Sequence, residues 1–160
     1  MPSKAMNLIL FVAICFAAAA VGGWFTASSV KTWYPELLKP VGTPPPWVFG
    51  PVWSVLYLLM ATAAWIVWEQ RHIYDVWLPL TLFFAQLILN AAWSFVFFGL
   101  RRPGLALVEI LILLLAIGLT AVSFLRCSPK AFCLMTPYLG WVTYATYLNF
   151  GIWRLNRGAA

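Results

Sequence analysis

Trp53, Trp93 and Trp141 each stand six or seven residues inside a long apolar run, about 10 Å along a helix from its end. That is too deep for the belt of tryptophans that marks a membrane surface, which accounts well for Trp65, Trp68, Trp77 and Trp153 near run ends. Deep indoles are suited to stacking against a flat apolar ligand. They also have polar company. Gln86, Asn90, Trp93, Ser94 and Phe97 recur at steps of three and four and so share one helical face, and Trp141, Ala145, Asn149 and Asn156 repeat the pattern. An amide turned to lipid is costly, so both faces are expected to point into a bundle. Helix packing alone, with Asn90 and Asn149 as interhelical hydrogen-bond partners, would produce the same spacing.

Other chemistry is poorly provided for. The one histidine, His72, lies in a short polar gap beside Glu69, Arg71 and Asp75, so there is no histidine pair and no Cys/His cluster for a metal. A serine nucleophile would lack a base. Glu109 is the one acid inside an apolar run, at a depth where snorkelling or pairing with a nearby arginine is the expected role. Cys127 and Cys133 flank a short gap and are expected as free thiols. The net charge of +6 never gathers into more than the Arg101, Arg102 pair, so anionic lipid headgroups, and not nucleic acid, are the expected counter-charge.

The elements that must position these residues follow from composition. Of the 160 residues 64% are hydrophobic and 9% charged, with a mean hydropathy of +0.90, far outside the range of a water-soluble domain. Five runs are long enough to span a hydrocarbon core of about 30 Å: roughly 7–27, 47–68, 77–100, 104–125 and 134–154. They are continuous and not alternating, which selects helices over strands. The reading is an all-α integral membrane protein, one domain over 1–160, built as a bundle of five transmembrane helices. The Ala17–Ala20 stretch resembles a cleavage region, but the first run exceeds the usual core of a signal peptide and is expected to stay as a helix. Lys and Arg divide six to four between the two sides, placing the N-terminus outside and the C-terminus in the cytoplasm.

The segment 28–46 between the first two runs is of another kind. Pro40, Pro44, Pro45 and Pro46 forbid a helix through it, and Trp33, Tyr34 and the following Trp47 make it more aromatic than a connector needs. It reads as a stiff lid over the mouth of a pocket walled by the second, third and fifth helices.

Five stretches together carry a resemblance: WYPELLKP, PPPWVFGPVW, LYLLM, QLILNAAWSFVFF and PYLGWVTYATYLN. In this order they resemble the TspO/MBR family of tryptophan-rich sensory proteins, translocator proteins and peripheral-type benzodiazepine receptors, over essentially the whole chain. The short form is similar to the bacterial members. The resemblance implies a five-helix membrane protein, a homodimer, that binds porphyrins such as protoporphyrin IX, haem precursors, sterols, and isoquinoline or benzodiazepine drugs, with no required cofactor. Carried over residue by residue, the ligand pocket falls on Trp33, Tyr34, Pro44, Pro45, Trp53, Tyr57, Asn90, Trp93, Tyr138, Trp141 and Ala145.

Two departures from the family pattern stand out. Gly42 occupies a position where many relatives have tryptophan, which implies a looser lid or a wider pocket mouth. The sterol motif would fall on Leu148, Phe150 and Arg154, but Phe150 lacks the tyrosine hydroxyl, which argues against sterol binding there. Stacking on Trp and Tyr suits a tetrapyrrole, and Lys39, Arg101 or Arg102 could meet its acids. With no histidine in any run, metal-free porphyrin is expected to bind at least as well as haem. Binding and sensing is the principal reading, with a porphyrin or sterol carrier as one alternative. The resemblance also implies light- and oxygen-dependent porphyrin breakdown in some bacterial relatives, for which Trp53 and Trp141 would be the reactive indoles.

Overall fold

The computed structural model describes residues 3–158, which are helical almost throughout. Five long helices follow one another: α1 (Lys4–Lys31), α2 (Pro46–Glu69), α3 (Trp77–Ser94, extended by a π turn over Phe95–Gly99), α4 (Pro103–Cys127) and α5 (Pro129–Asn156). Four of them are long and apolar enough to cross a membrane, with mean hydropathies from 1.6 to 2.7. The fifth, α5, has the length; Tyr138 and Asn149 are buried inside the bundle, and Tyr144, Tyr147 and Asn156 bond the lid. The architecture is an all-α bundle of five membrane-spanning helices.

Local chemistry explains where the helices begin. Ser3 caps α1 by accepting from the Met6 amide at 3.2 Å. Ser128 does the same for α5 through the Ala131 amide, and Pro129 takes the first helical position, where its missing N–H costs nothing. That cap starts α5 five residues before the apolar run at 134, and Ser128 alone separates it from α4. Pro137, inside α5, cannot donate to the Cys133 carbonyl, and the Thr136 hydroxyl takes that carbonyl at 2.8 Å instead. Cys15, Cys127 and Cys133 are free thiols.

The helices close a ring in the order α1, α2, α5, α4, α3. Its N-terminal half is solid. Met60, Val67, Phe83, Phe124 and Met135 are fully buried, and Ala61, Ala63 and Ala64 let α2 approach its neighbours closely. At that end Asn7 donates to Glu69 at 3.2 Å, and Glu69 also faces Arg71 at 3.5 Å. Glu109 departs from expectation: both its carboxyl oxygens are buried and, among the described residues, neither has a partner, because α4 turns it toward the bundle and away from the arginines at 101 and 102.

Amides lock the middle of the ring. The Tyr57 hydroxyl donates to Asn90 Oδ1 at 2.9 Å, and Asn90 Nδ2 donates to the Tyr138 hydroxyl at 2.7 Å, joining α2, α3 and α5. Trp93 Nε1 donates to Asn149 Oδ1 at 3.0 Å, and Asn149 Nδ2 donates to the Pro103 carbonyl at 2.8 Å, adding α4. In a double-mutant cycle of Tyr57→Phe and Asn90→Ala, followed by reversible unfolding in mixed micelles, the pair should show a coupling of about 1 kcal/mol. Coupling near zero would mean that the groups are only neighbours.

Candidate functional site

The lid-side half of the ring is hollow. A cavity of about 620 Å³ lies there between α1, α2, α3 and α5, inside the range of about 300–1,000 Å³ usual for small-molecule sites. From α2 come Phe49, Trp53 and Tyr57, at steps of four on one face. From α5 come Trp141, Ala145, Leu148, Asn149 and Ile152, and from α3 Asn90, Trp93 and Ser94. The π turn over Phe95–Gly99 follows. Its wide winding is fixed by bonds from the Leu100 amide to the Phe95 carbonyl at 2.8 Å and from the Arg102 amide to the Val96 carbonyl at 3.2 Å. Phe97 and Phe98 reach the cavity, four residues on from Trp93 and Ser94. Ser29 of α1 holds the turn by donating to the Phe98 carbonyl at 2.6 Å.

The fourth wall is α1, which the expected set of second, third and fifth helices left out. Phe16, Ala19, Ala20, Gly23, Thr26, Ala27, Val30 and Lys31 all line the cavity. The signal was the run of Ala and Gly, more readily taken for a cleavage region or a packing face because small residues make a wall by leaving room.

Of the eleven residues expected at the pocket, seven line this cavity: Tyr34, Trp53, Tyr57, Asn90, Trp93, Trp141 and Ala145. Tyr138 stands behind the wall, fully buried, bonded to Asn90 and edge-on to Trp53 with centroids 6.2 Å apart. Trp33 packs edge-on against Phe97 at 5.7 Å, outside the lining. Pro44 lines a smaller space of about 500 Å³ beneath the lid, and Pro45 is the residue before the first turn of α2. Neither touches the main cavity. Leu148, Phe150 and Arg154 do not form one face: Leu148 is buried in the cavity wall, whereas Phe150 and Arg154 are exposed. Asn156, expected with Trp141 and Asn149, instead serves the lid.

The cavity's electrostatics are sparse. Asn90 and Asn149 spend their amides on the helix locks, and Thr26 and Ser54 bond back to the Gly22 and Gly50 carbonyls at 2.8 and 2.9 Å. The Trp141 ring lines the cavity, and its indole N–H is buried with no partner among the described residues. Lys31 is the cation of the lining, Lys39 that of the smaller space, and Arg101 and Arg102 reach neither. No histidine lines the cavity, since His72 sits in the turn after α2 at the far end. The lid is itself ordered by a short 3-10 turn over Tyr34–Glu36. Lys39 Nζ lies 4.9 Å above the Tyr34 ring. Burial, and after it the Tyr144 hydroxyl, push the Tyr34 phenol above its ordinary range, so it stays neutral in the cavity roof.

Gly42 is itself bonded to α5. Its φ of +89° is one that a tryptophan would adopt only under strain, and its carbonyl accepts a hydrogen bond from Tyr144 of α5.

Comparison with known proteins agrees with this geometry. The family model described as "TspO/MBR family" matches residues 11–154. The chain is similar to a tryptophan-rich protein TspO of Archaeoglobus fulgidus, 46% identical over 154 residues, which cover 94% of this chain and 99% of that one. It is similar also to the translocator protein of Homo sapiens, 41% identical over 140 residues, 86% of this chain and 83% of that one. A tryptophan-rich sensory protein of Cereibacter sphaeroides is 37% identical over 148 residues, 92% of this chain and 90% of that one. A match over nearly the full length, on a bundle whose cavity gathers Trp53, Trp93 and Trp141, makes this chain a member of the TspO/MBR family of integral membrane proteins.

Proposed function

We propose that the protein binds porphyrins within the membrane, protoporphyrin IX and haem precursors among them, together with related flat hydrophobic ligands such as isoquinolines and benzodiazepines, and that it serves tetrapyrrole sensing or transport. The observation that carries this reading is the cavity of about 620 Å³ with Trp53, Trp93, Trp141, Phe49 and Tyr57 on its walls. A tetrapyrrole is a wide, flat, apolar ring with two carboxylates at one edge. Aromatic faces and edges suit the ring, and Lys31 at the lid end of the cavity suits the acids. The absence of an imidazole from the lining favours metal-free porphyrin over haem. The names of the relatives, sensory protein and translocator, fit a site that holds a ligand without transforming it. Lys31, Lys39, Arg101, Arg102, Arg154 and Arg157 fall on the lid side against Lys4, Arg71, Arg126 and Lys130 on the other, a six-to-four bias that supports a cytoplasmic lid end.

Titration of the detergent-purified protein with protoporphyrin IX in the dark should quench tryptophan fluorescence saturably. Trp53→Ala and Trp141→Ala should each weaken the affinity at least tenfold. Linear quenching, the same in both variants, would mean that porphyrin only partitions into the micelle and would sink the proposal. A light-driven change in the porphyrin spectrum, lost in either variant, would add photochemistry to binding.

The acid edge can be tested separately. Lys31→Gln should weaken protoporphyrin IX by about fivefold to tenfold and leave its dimethyl ester, which has no carboxylates, within twofold of the wild-type protein. Equal losses for the two ligands would remove Lys31 from acid recognition.

A further inference from the structure

The roof of the cavity is fastened down. Asn156 of α5 donates to the Leu38 carbonyl at 2.9 Å and accepts from the Leu38 amide at 3.1 Å, a two-bond clasp on one lid residue. Tyr147 donates to the Val41 carbonyl at 3.1 Å, and Tyr144 to the Gly42 carbonyl. Between these bonds Pro40 sits so close to Gly151 that a Cβ there would lie 2.6 Å from the proline ring. Lys39 adds bonds within the lid, to the Pro35 and Leu37 carbonyls at 3.2 and 2.9 Å. Lifting the lid would break these contacts together.

The flank between α1 and α2 is built in the opposite way. Ala20, Gly23 and Ala27 of α1, with Gly50 and Ser54 of α2, line the cavity and are also exposed, as are their neighbours Val21, Trp24, Pro51 and Val55, which do not line it. A Cβ added at Gly23 or Gly50 would meet no atom within 4 Å. Residues that are wall and surface at once mark an opening, and from Ala20 to Ala27 it runs about 10 Å along α1. Both flanking helices are membrane spans, so the opening faces acyl chains. Its rim is fitted to that surrounding, because the Thr26 and Ser54 hydroxyls are spent on their own helices. At its upper end stands Lys31, which has no ion-pair partner among the described residues.

We infer that ligands enter and leave the cavity sideways, from the hydrocarbon, through the α1–α2 opening, while the lid stays clasped to α5. The ligand class this admits is a membrane-dissolved amphiphile. Its slender or flat apolar body passes Gly23 and Gly50, and its acidic end remains near Lys31 at headgroup level. The route does not depend on the ligand's being a porphyrin.

A thiol placed on the far wall of the cavity reads the route directly. Ala145→Cys provides it, in the full chain with Cys15, Cys127 and Cys133 replaced by alanine and the protein reconstituted in phosphatidylcholine vesicles. Modification is followed by intact-protein mass spectrometry with two reagents: N-hexadecylmaleimide dissolved in the bilayer and a sulfonated maleimide in water. The bilayer reagent should react at least tenfold faster. Adding Gly23→Trp with Gly50→Trp should slow it tenfold or more, and Asn156→Ala, which unclasps the lid, should change it less than twofold. Faster labelling from water, or labelling that ignores the blocked flank and accelerates in Asn156→Ala, would overturn the inference in favour of entry under the lid. Should Ala145→Cys fail to fold, Leu148→Cys on the same wall replaces it. Gly23→Leu with Gly50→Leu is a milder block that also raises helix propensity. No porphyrin takes part, so a failure of porphyrin binding leaves this result standing.

Discussion

Hydrocarbon offers no hydrogen bonds, and that constraint organises the whole molecule. Each polar group inside the bundle must be met by another part of the bundle. The chain answers with two amides that each accept one bond and donate another. Asn90 takes one hydroxyl and gives to another, joining three helices, and Asn149 takes an indole N–H while giving to the carbonyl that opens α4. These bonds also fix Tyr57, Trp93 and Tyr138, so the geometry of the aromatic walls follows from satisfying the amides. The orphaned groups stand out for the same reason. Trp65 Nε1, Gln86 Oε1, the Glu109 carboxyl and Trp141 Nε1 are buried without partners among the described residues, and of these residues Trp141 lines the cavity.

The lid obeys the constraint differently, because it meets the headgroup region. Its prolines remove donors that would otherwise need partners, and the carbonyls of Leu38, Val41 and Gly42 are taken by side chains of α5. Stiffness and attachment therefore come from separate sources: the prolines limit the lid's shape, and Asn156, Tyr144 and Tyr147 set its position. Gly42 is the hinge between the two, since its left-handed backbone presents its carbonyl to Tyr144.

Periodicity made much of this legible. Continuous apolar runs gave the helix count, and steps of three and four placed Asn90, Trp93, Trp141 and Ala145 on inward faces, as the bundle has them. What escaped has physical reasons. Phe98 stands four residues on from Ser94, and the expected face stopped one residue short of it at Phe97. Ser128 starts α5 with a cap, a local signal outweighed by the charges of Arg126 and Lys130 on either side. Asn156 lies on the expected face of α5, but two turns above Asn149 that face has left the cavity and reached the lid. Glu109 was assigned to the nearby arginines by distance along the chain, whereas the rotation of α4 decides its direction.

The contribution of α1 is the least legible, and it bears most on how a hollow bundle can persist. In lipid there is no water to expel, so helices associate through packing and hydrogen bonds, and an internal void forfeits the packing. A void is tolerable only where other contacts hold its walls apart. Here α2, α3 and α5 are held by the Tyr57–Asn90–Tyr138 chain, α3 and α5 also by Trp93–Asn149, and α1 by the Ser29 bond to the π turn and by Gly22 against Ser94. With its ends and one face fixed in this way, α1 need not fill the space before it, and alanine and glycine along Ala19–Ala27 keep that space open. The cavity is thus the result of rigid attachment around a wall that lacks side chains, and a search for large or polar residues passes over that wall.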